Sequence, residues 1–120
     1  MRLLIILTVL TLTGLSSALA KEPYIGNFLY QYEGGNAFRV SVPNDKKLTW
    51  KGIAGVVKGT SGTEKPQRFK VADGIYYVTW IESTGINVSQ AVNYHTGKVF
   101  TTVINGRERI VHAGTVTREK

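Results

Sequence analysis

The chain has 120 residues, a net charge of +7 at pH 7 and no cysteine. The absence of cysteine excludes disulfide bonds, a lipidated cysteine and a thiolate metal site. The lysines and arginines are scattered through the sequence rather than gathered into a tract with stacking aromatic residues, and this argues against a nucleic-acid-binding surface.

The N-terminal segment has the three parts of a secretory signal peptide. Arg2 precedes an apolar run over residues 3–15, and Ala18 and Ala20 form a small-residue cleavage motif. A membrane anchor would need about 20 apolar residues, and this run is shorter and interrupted by threonines. We therefore predict cleavage after Ala20, a secreted or periplasmic protein without a membrane anchor, and a single domain over residues 21–120.

After this segment, short runs with an apolar residue at every second position alternate with turns rich in glycine, asparagine and aspartate. This pattern is typical of an all-β domain. The polar segment 58–66 is predicted to be a loop that is long enough to act as a flap. The predicted strands cover residues 25–32, 37–42, 48–54, 67–71, 75–81, 87–94, 98–104 and 109–117.

About eight short strands in a domain of about 100 residues fit a small antiparallel β-barrel, which is filled by side chains or holds one small ligand. A two-sheet sandwich is the alternative. Several strands are apolar on both faces, and closure would remove unpaired edges, but we favour the barrel mostly on the resemblance described below.

The first predicted strand places two phenols on one face. Tyr30 and Tyr32 are two residues apart and share that face with Phe28. Two neighbouring hydroxyls of this kind can clamp a carboxylate or a carbonyl group. The alternative is that both rings fill the interior and their hydroxyls bond the backbone or water.

A carboxylate ends the predicted strand 75–81. Strand alternation puts Glu82 on the same face as Trp80 and Tyr76. If this face is interior, desolvation raises the pKa of Glu82 and makes it a proton donor. If it is exterior, Glu82 is a solvated strand end.

No motif indicates a metal or a cofactor. The two histidines, His95 and His112, have no carboxylate cluster in the sequence near them, so we predict no metal site. The sequence has no phosphate-binding loop, dinucleotide-binding motif or nucleophile elbow, and we predict no cofactor.

Several segments resemble known families. NFLYQYEGG at residues 27–35 and GIYYVTWIESTGINV at residues 74–88 resemble the first strand and the strand-and-turn motif of the phenolic acid decarboxylases. WKGIAGVVKG at residues 50–59 falls at that family's tyrosine-arginine and glycine positions. SQAVNY at residues 89–94, with VFTT at residues 99–102, is also similar to the MoaF-like domains, which are calycin-like β-barrels related to a molybdenum cofactor biosynthesis protein. The length agrees better with the MoaF-like domains, which we take as the closer relatives.

The resemblance implies a calycin-like, or lipocalin-like, barrel and roles for three residues. In the decarboxylases the two tyrosines bind the substrate carboxylate and the motif glutamate transfers a proton, which implies these roles for Tyr30, Tyr32 and Glu82. The family's arginine falls at Thr60, so its guanidinium is missing from that position. Lys58 and Arg68 lie near Thr60 in the sequence and are the candidates to replace the missing cation.

We therefore expect an exported barrel whose interior binds a small aromatic or carboxylate-bearing molecule, without nucleic acid as a partner. Binding is favoured over catalysis. The alternatives are a cofactor-free decarboxylase or related lyase with Glu82 as its catalytic acid, and a packed interaction module without catalysis. The sequence leaves the oligomeric state open, and a homodimer is one of the states that it allows. The expected ligand-binding residues, besides the catalytic candidate Glu82, are Tyr30, Tyr32, Trp80, Phe28, Trp50 and Tyr76.

Overall fold

The computed structural model describes residues 21–120, so the predicted signal peptide lies outside the described residues. These residues form nine antiparallel strands and one 3-10 turn at Gly55–Val57. Eight strands match the predicted ones, with ends that differ by at most two residues. The strands are β1 (Gly26–Tyr32), β2 (Ala37–Asn44), β3 (Lys47–Ala54), β4 (Ser61–Glu64), β5 (Gln67–Ala72), β6 (Ile75–Ile81), β7 (Asn87–Asn93), β8 (Lys98–Asn105) and β9 (Glu108–Glu119).

The prediction of a loop over residues 58–66 was wrong, because this segment contains β4. The sequence of β4, SGTE, has no apolar alternation that would indicate a strand. It is a strand because its backbone pairs with β3, from Leu48 opposite Glu64 to Lys51 opposite Ser61. Tertiary pairing overrides the weak local preference of these residues.

All nine strands belong to one sheet in the order β4-β3-β2-β1-β9-β8-β7-β6-β5. The pairing of β1 with β9 joins two runs of sequential hairpins, β1 to β4 and β5 to β9. The strands at the two ends of this order, β4 and β5, run in the same direction and are connected by only Lys65 and Pro66, so they follow each other end to end. Because β4 pairs with β3 and β5 pairs with β6, this connection brings the two ends of the sheet together and curls the sheet into an antiparallel barrel. Among residues 21–120, no backbone ladder joins β4 to β5.

The single nine-stranded sheet rules out the two-sheet alternative, and one apolar core fills this sheet. Its members come from both halves of the sheet, and Phe28, Val92 and Val99 are almost fully buried. Alternating side chains point inward along each strand, as period-two patterning predicts. The buried cluster consists of Phe28, Tyr30, Val40, Val42, Leu48, Val78, Trp80, Val88, Val92, Val99 and Val116.

The described residues contain no helix with the length and apolar character that crossing a membrane requires.

Strands β1 and β9 approach very closely at Gly114. A Cβ atom at this position would collide with the backbone oxygen of Gln31 and would lie 2.8 Å from a ring carbon of Tyr32. Gly114 is directly opposite Tyr32 in the β1–β9 register. The missing side chain therefore makes room for the Tyr32 ring.

We expect Gly114→Ala to lower the free energy of unfolding by about 1–3 kcal/mol, because the added methyl group forces the two strands apart. Urea unfolding followed by circular dichroism measures the change. Thr117→Ala, at an exposed position on the same strand, is the control and should change stability by no more than about 0.5 kcal/mol. A Gly114→Ala protein as stable as the parent would contradict the steric argument.

Candidate functional site

One end of the barrel is lined by inward-facing, mostly half-buried side chains, and we call it the glutamate mouth. Its aromatic rings form a continuous series: Tyr32 lies 6.0 Å from Phe38 and 5.9 Å from His112, and Phe38 lies 5.8 Å from Trp50, between ring centroids. All three pairs are edge-to-face, a favourable geometry for aromatic side chains. The residues of the glutamate mouth are Tyr32, Phe38, Trp50, Glu64, Glu82 and His112.

The hydroxyl of Tyr32 is held by a polar network from β7 and β8. It lies 2.7 Å from Oγ1 of Thr101 and accepts a hydrogen bond from Nε2 of Gln90 at 3.3 Å. Burial raises the pKa of Tyr32 to about 12, although the hydrogen bonds with Thr101 and Gln90 act in the opposite direction. Tyr32 is therefore a neutral phenol at physiological pH. The sequence analysis missed Gln90 and Thr101, although Gln90 stands between Val88 and Val92 on an inward-facing pattern.

Tyr30 is adjacent to Tyr32, at 6.5 Å between ring centroids, but lies deeper and is only 4 % exposed. Its hydroxyl is hydrogen-bonded to Tyr94, and burial holds its pKa well above the ordinary value. The two phenols share a face as predicted. Their hydroxyls meet different partners, which are Tyr94 for Tyr30 and the Thr101–Gln90 pair for Tyr32.

Glu82 lies on the inner face with Trp80. Nε1 of Trp80 donates a hydrogen bond to Oε2 of Glu82 at 3.3 Å, and the carboxyl group is half-buried. Burial raises the pKa of Glu82, the nearby Glu64 carboxylate raises it further, and the hydrogen bond from Trp80 opposes both effects. Of the two orientations that the sequence allowed, the structure has the inward one.

A second acid, Glu64, lies in the same mouth and was missed by the sequence analysis. It is 6 % exposed and accepts a hydrogen bond of 2.8 Å from Nε1 of Trp50. Gly62 allows this contact, since a Cβ there would lie 2.7 Å from both Nε1 of Trp50 and Oε2 of Glu64. The sequence did not indicate Glu64, because its segment has no apolar alternation and was predicted to be a loop.

The remaining predicted residues lie away from the mouth. Phe28 is in the core, beneath the guanidinium of Arg118 at 4.8 Å from the ring centroid. The hydroxyl of Tyr76 donates a hydrogen bond to Glu22 at 3.0 Å. Tyr76 and Glu82 are six residues apart along one strand direction, so they lie about 20 Å from one another at opposite ends of the barrel. The structure thus groups Tyr32, Trp50, Trp80 and Glu82, and separates Tyr76 from them.

Arg68 supplies a cation at the end of the barrel opposite the mouth. Its guanidinium stacks 4.6 Å above the ring centroid of Tyr24 and donates a hydrogen bond of 3.2 Å to the backbone oxygen of Asp45. Burial lowers its pKa, although the nearby phenols of Tyr94 and Tyr30 favour the charged form. A cavity of 480 Å³ opens beside Arg68 and Tyr24. A larger depression of 710 Å³ lies over β1 to β4 and the end of β9, and its lining includes Trp50 of the mouth but neither Tyr32 nor Glu82.

Thr60 stands where the decarboxylase resemblance places an arginine. Its backbone oxygen accepts a hydrogen bond of 2.8 Å from the amide of Gly52, which pairs with Phe38 of the mouth. Its hydroxyl donates to the backbone oxygen of Val57. This position therefore borders the mouth but brings no positive charge to it.

Within residues 21–120, no three or more histidine, aspartate or glutamate side chains are grouped in a way that could hold a metal ion. His95 is hydrogen-bonded to the backbone oxygen of Asp73 at 3.0 Å. His112 packs against Tyr32.

A sequence model described as MoaF-like matches residues 26–117. The chain belongs to the MoaF-like family. It is also 31 % identical over 70 residues to phenolic acid decarboxylase PadC of Bacillus subtilis (strain 168), an alignment that covers 57 % of this chain and 44 % of that protein. The two resemblances predicted from sequence are thus confirmed, and this MoaF-like chain spans less than half the length of that curated relative.

The fold of this MoaF-like domain matches a solved structure with little sequence similarity. It superposes with a TM-score of 0.77 on the crystal structure of a "putative beta-lactamase" from Burkholderia vietnamiensis. The match covers 83 % of this chain and 99 % of the other at 16 % sequence identity, so it concerns the fold alone.

The raised pKa of Glu82 predicts how stability changes with pH. Because the pKa of Glu82 is higher in the folded than in the unfolded chain, folding favours the protonated acid, and its ionisation costs stability at neutral pH. As the pH falls through the folded pKa towards the ordinary value, the parent should gain stability relative to Glu82→Gln. Urea unfolding of both proteins between pH 7 and pH 4.5 measures this difference, and curves that stay parallel would contradict it.

Proposed function

We propose that this MoaF-like domain binds a small aromatic molecule in the glutamate mouth, and that it does so after export, which the signal-peptide pattern of residues 1–20 indicates. The observation that carries the proposal is a half-buried acid at an end of the barrel whose inner wall is aromatic. Glu82 accepts a hydrogen bond from Trp80, and its pKa is raised by Glu64, which is bonded to Trp50. The ring of Trp50 packs on Phe38, and that of Phe38 on Tyr32. Pockets for small ligands combine apolar walls with a few fixed polar groups in this way.

The charges of the mouth narrow the ligand class. Glu82 and Glu64 are both acidic, and the position of the family arginine holds Thr60. A carboxylate entering this end would meet like charge without a compensating guanidinium. A hydroxyl on an aromatic ring can instead donate a hydrogen bond to Glu82. We therefore favour an uncharged phenol-like ligand over the carboxylate-bearing one.

Intrinsic fluorescence tests this binding directly, because the chain has two tryptophans, Trp50 and Trp80, and both are hydrogen-bonded to acids of the mouth. Titration with 4-ethylphenol should change the tryptophan emission and saturate. Tyr32→Phe and Glu82→Gln should each weaken binding by about 5- to 30-fold, as expected for the loss of one or two hydrogen bonds.

Tyr77→Phe is the matched control, since it removes an outward-facing phenol from the same barrel. It should bind 4-ethylphenol as the parent does. Equal loss of binding in Tyr32→Phe and Tyr77→Phe, or no emission change in the parent at millimolar ligand, would contradict the proposed site.

A cofactor-free decarboxylase is the second candidate, favoured by the similarity to PadC and by the raised pKa of Glu82. In this function Glu82 would donate a proton to the α-carbon of the alkene of a hydroxycinnamic acid that is ionised at its phenol. The resulting quinone-methide-like intermediate would then lose carbon dioxide and return to the phenolate. The substrate carboxylate would need a cation, and Arg68 lies at the other end of the barrel. This is why we rank catalysis below binding.

Incubation with p-coumaric acid separates the two functions. If the domain only binds, the absorbance of the acid stays constant, whereas 4-ethylphenol still quenches the tryptophans. If the domain catalyses decarboxylation, the parent forms 4-vinylphenol and Glu82→Gln loses this activity. Activity that survives in Glu82→Gln would contradict the catalytic role of that residue.

A further inference from the structure

Arg68 is a half-buried cation without a carboxylate partner. Its position on β5 is opposite Val78, an inward-facing residue of β6, and this register directs its side chain to the inner face of the barrel. Among residues 21–120, no carboxylate oxygen lies within ion-pairing distance of its guanidinium. Because burying a charge without a counter-ion costs free energy, an anion that reaches Arg68 would offset this cost.

Other arginines of the domain have partners for their charge or for their N–H groups. Arg39 forms an ion pair with Glu119 at 3.3 Å. Arg118 donates hydrogen bonds of 2.7 Å to two backbone oxygens. Within the part of the chain that the structure describes, Arg68 donates a single hydrogen bond, to the backbone oxygen of Asp45. A guanidinium has several N–H groups, so most of those on Arg68 are left for a ligand.

The contact with Tyr24 leaves the donors of Arg68 accessible. The guanidinium packs 4.6 Å above the ring centroid, so the ring meets its flat face. The N–H groups lie in the guanidinium plane and point outward from its edge. A carboxylate can therefore accept two parallel hydrogen bonds from this edge while the Tyr24 ring stays in place.

The cavity of 480 Å³ beside Arg68 gives a ligand room to reach it. It lies between β5, the turn that joins β2 to β3 and the segment that precedes β1. Tyr24 packs edge-to-face on Tyr76 at 5.1 Å between ring centroids, which fixes one wall. We call this cavity the arginine pocket, and its cationic and aromatic lining residues are Tyr24, Lys46, Arg68, Phe69, Lys70 and Tyr76.

We propose that the arginine pocket binds a small aromatic carboxylate, separately from the glutamate mouth at the other end of the barrel. The carboxylate would accept hydrogen bonds from Arg68. Its ring would lie against Tyr24 and Phe69, a side chain that is 58 % exposed beside the cavity. A pocket of this volume, with aromatic walls and one fixed charged group, suits a small organic molecule.

The charges of the arginine pocket favour an anion. Its lining contains two carboxylates, Glu22 and Asp45, against the three cations. Glu22 already accepts a hydrogen bond of 3.0 Å from the hydroxyl of Tyr76. Asp45 offers Arg68 its backbone oxygen, and its carboxylate forms no ion pair with Arg68. The excess of positive charge distinguishes this pocket from the glutamate mouth, where two acids lie together.

Isothermal titration calorimetry with phenylacetate tests the proposal, and phenylacetamide is the matched uncharged ligand. Phenylacetamide should bind at least about 10-fold more weakly, because it has no charge and only one acceptor oxygen for the guanidinium. Equal affinities for the two ligands would overturn the role assigned to Arg68. Inorganic phosphate at matched ionic strength should displace phenylacetate poorly, and displacement by an equal concentration of phosphate would overturn the aromatic part of the proposal.

Variants of Arg68 test the residue itself. Arg68→Gln should weaken phenylacetate binding by about 10- to 100-fold, as expected for the loss of charge-assisted hydrogen bonds. Arg68→Lys keeps the charge but loses the planar fork, so we expect a smaller loss, of about 3- to 10-fold. If circular dichroism shows that Arg68→Gln is unfolded, Arg68→Lys decides the test. Unchanged affinity in a folded Arg68 variant would overturn the proposal.

Arg109→Gln is the matched control, since it removes one positive charge from an exposed position on β9. It should bind phenylacetate as the parent does, and a loss equal to that in Arg68→Gln would overturn a specific site.

The two ends of the barrel can be tested independently. Glu82→Gln should bind phenylacetate as the parent does, and Arg68→Gln should bind 4-ethylphenol as the parent does. Failure of the glutamate mouth to bind is therefore distinguishable from failure of the arginine pocket. In nuclear magnetic resonance spectra, phenylacetate should shift the backbone amide signals of Asp45 and Arg68. Shifts confined to the glutamate mouth would overturn the proposed location.

Discussion

The pairing of β1 with β9 is the contact on which both the barrel and the candidate site depend. It joins residues from the two ends of the described chain and turns two runs of hairpins into one sheet. The same pairing sets Tyr32 over the glycine of β9, within 2.7 Å of a threonine 69 residues later in the chain. Pairing two strands this far apart in the sequence costs the conformational entropy of the chain between them before the ladder contributes stability. We therefore expect the barrel to fold cooperatively.

The barrel separates its charges along its length. Two glutamates, each bonded to a tryptophan, occupy one end. The half-buried arginine occupies the other, among phenols. Between them lies a core of valines and aromatic rings that water does not enter easily, so neither end neutralises the other. The two ends therefore differ in charge, even though all these side chains share the inner face of a single sheet.

Much of the fold could be predicted, because eight of the nine strands have an apolar residue at every second position for at least part of their length. β6 is the clearest example: its predicted and observed bounds coincide, and the residues that alternation placed on one face, Tyr76, Val78 and Trp80, are all buried. β4 could not be predicted, because it is polar and becomes a strand only by pairing with β3. Because β4 was missed, Glu64 was missed as well. Glu64 raises the pKa of Glu82, and this effect depends on the approach of two segments that are separate in the sequence.

The site was predictable residue by residue but not in its grouping. Alternation along β1 and β6 correctly grouped Tyr30 with Tyr32 and Trp80 with Glu82, but left open whether the face of Glu82 points inward. It could not tell which of Tyr76 and Glu82 shares an end of the barrel with Tyr32, since the relative position of residues on different strands depends on how those strands are staggered. Alternation also could not identify Thr101 and Gln90 as the partners of Tyr32. Nothing in a single sequence indicates that polar side chains on different strands will be hydrogen-bonded to each other.

The corner at Lys65 and Pro66 lets one stretch of chain serve both halves of the barrel. Before the corner β4 pairs with β3, and after it β5 pairs with β6. Glu64 is the last residue of β4, whereas Glu82 directly follows β6. The bend of the chain at this corner therefore sets the separation of the two carboxylates, and with it how strongly Glu64 raises the pKa of Glu82.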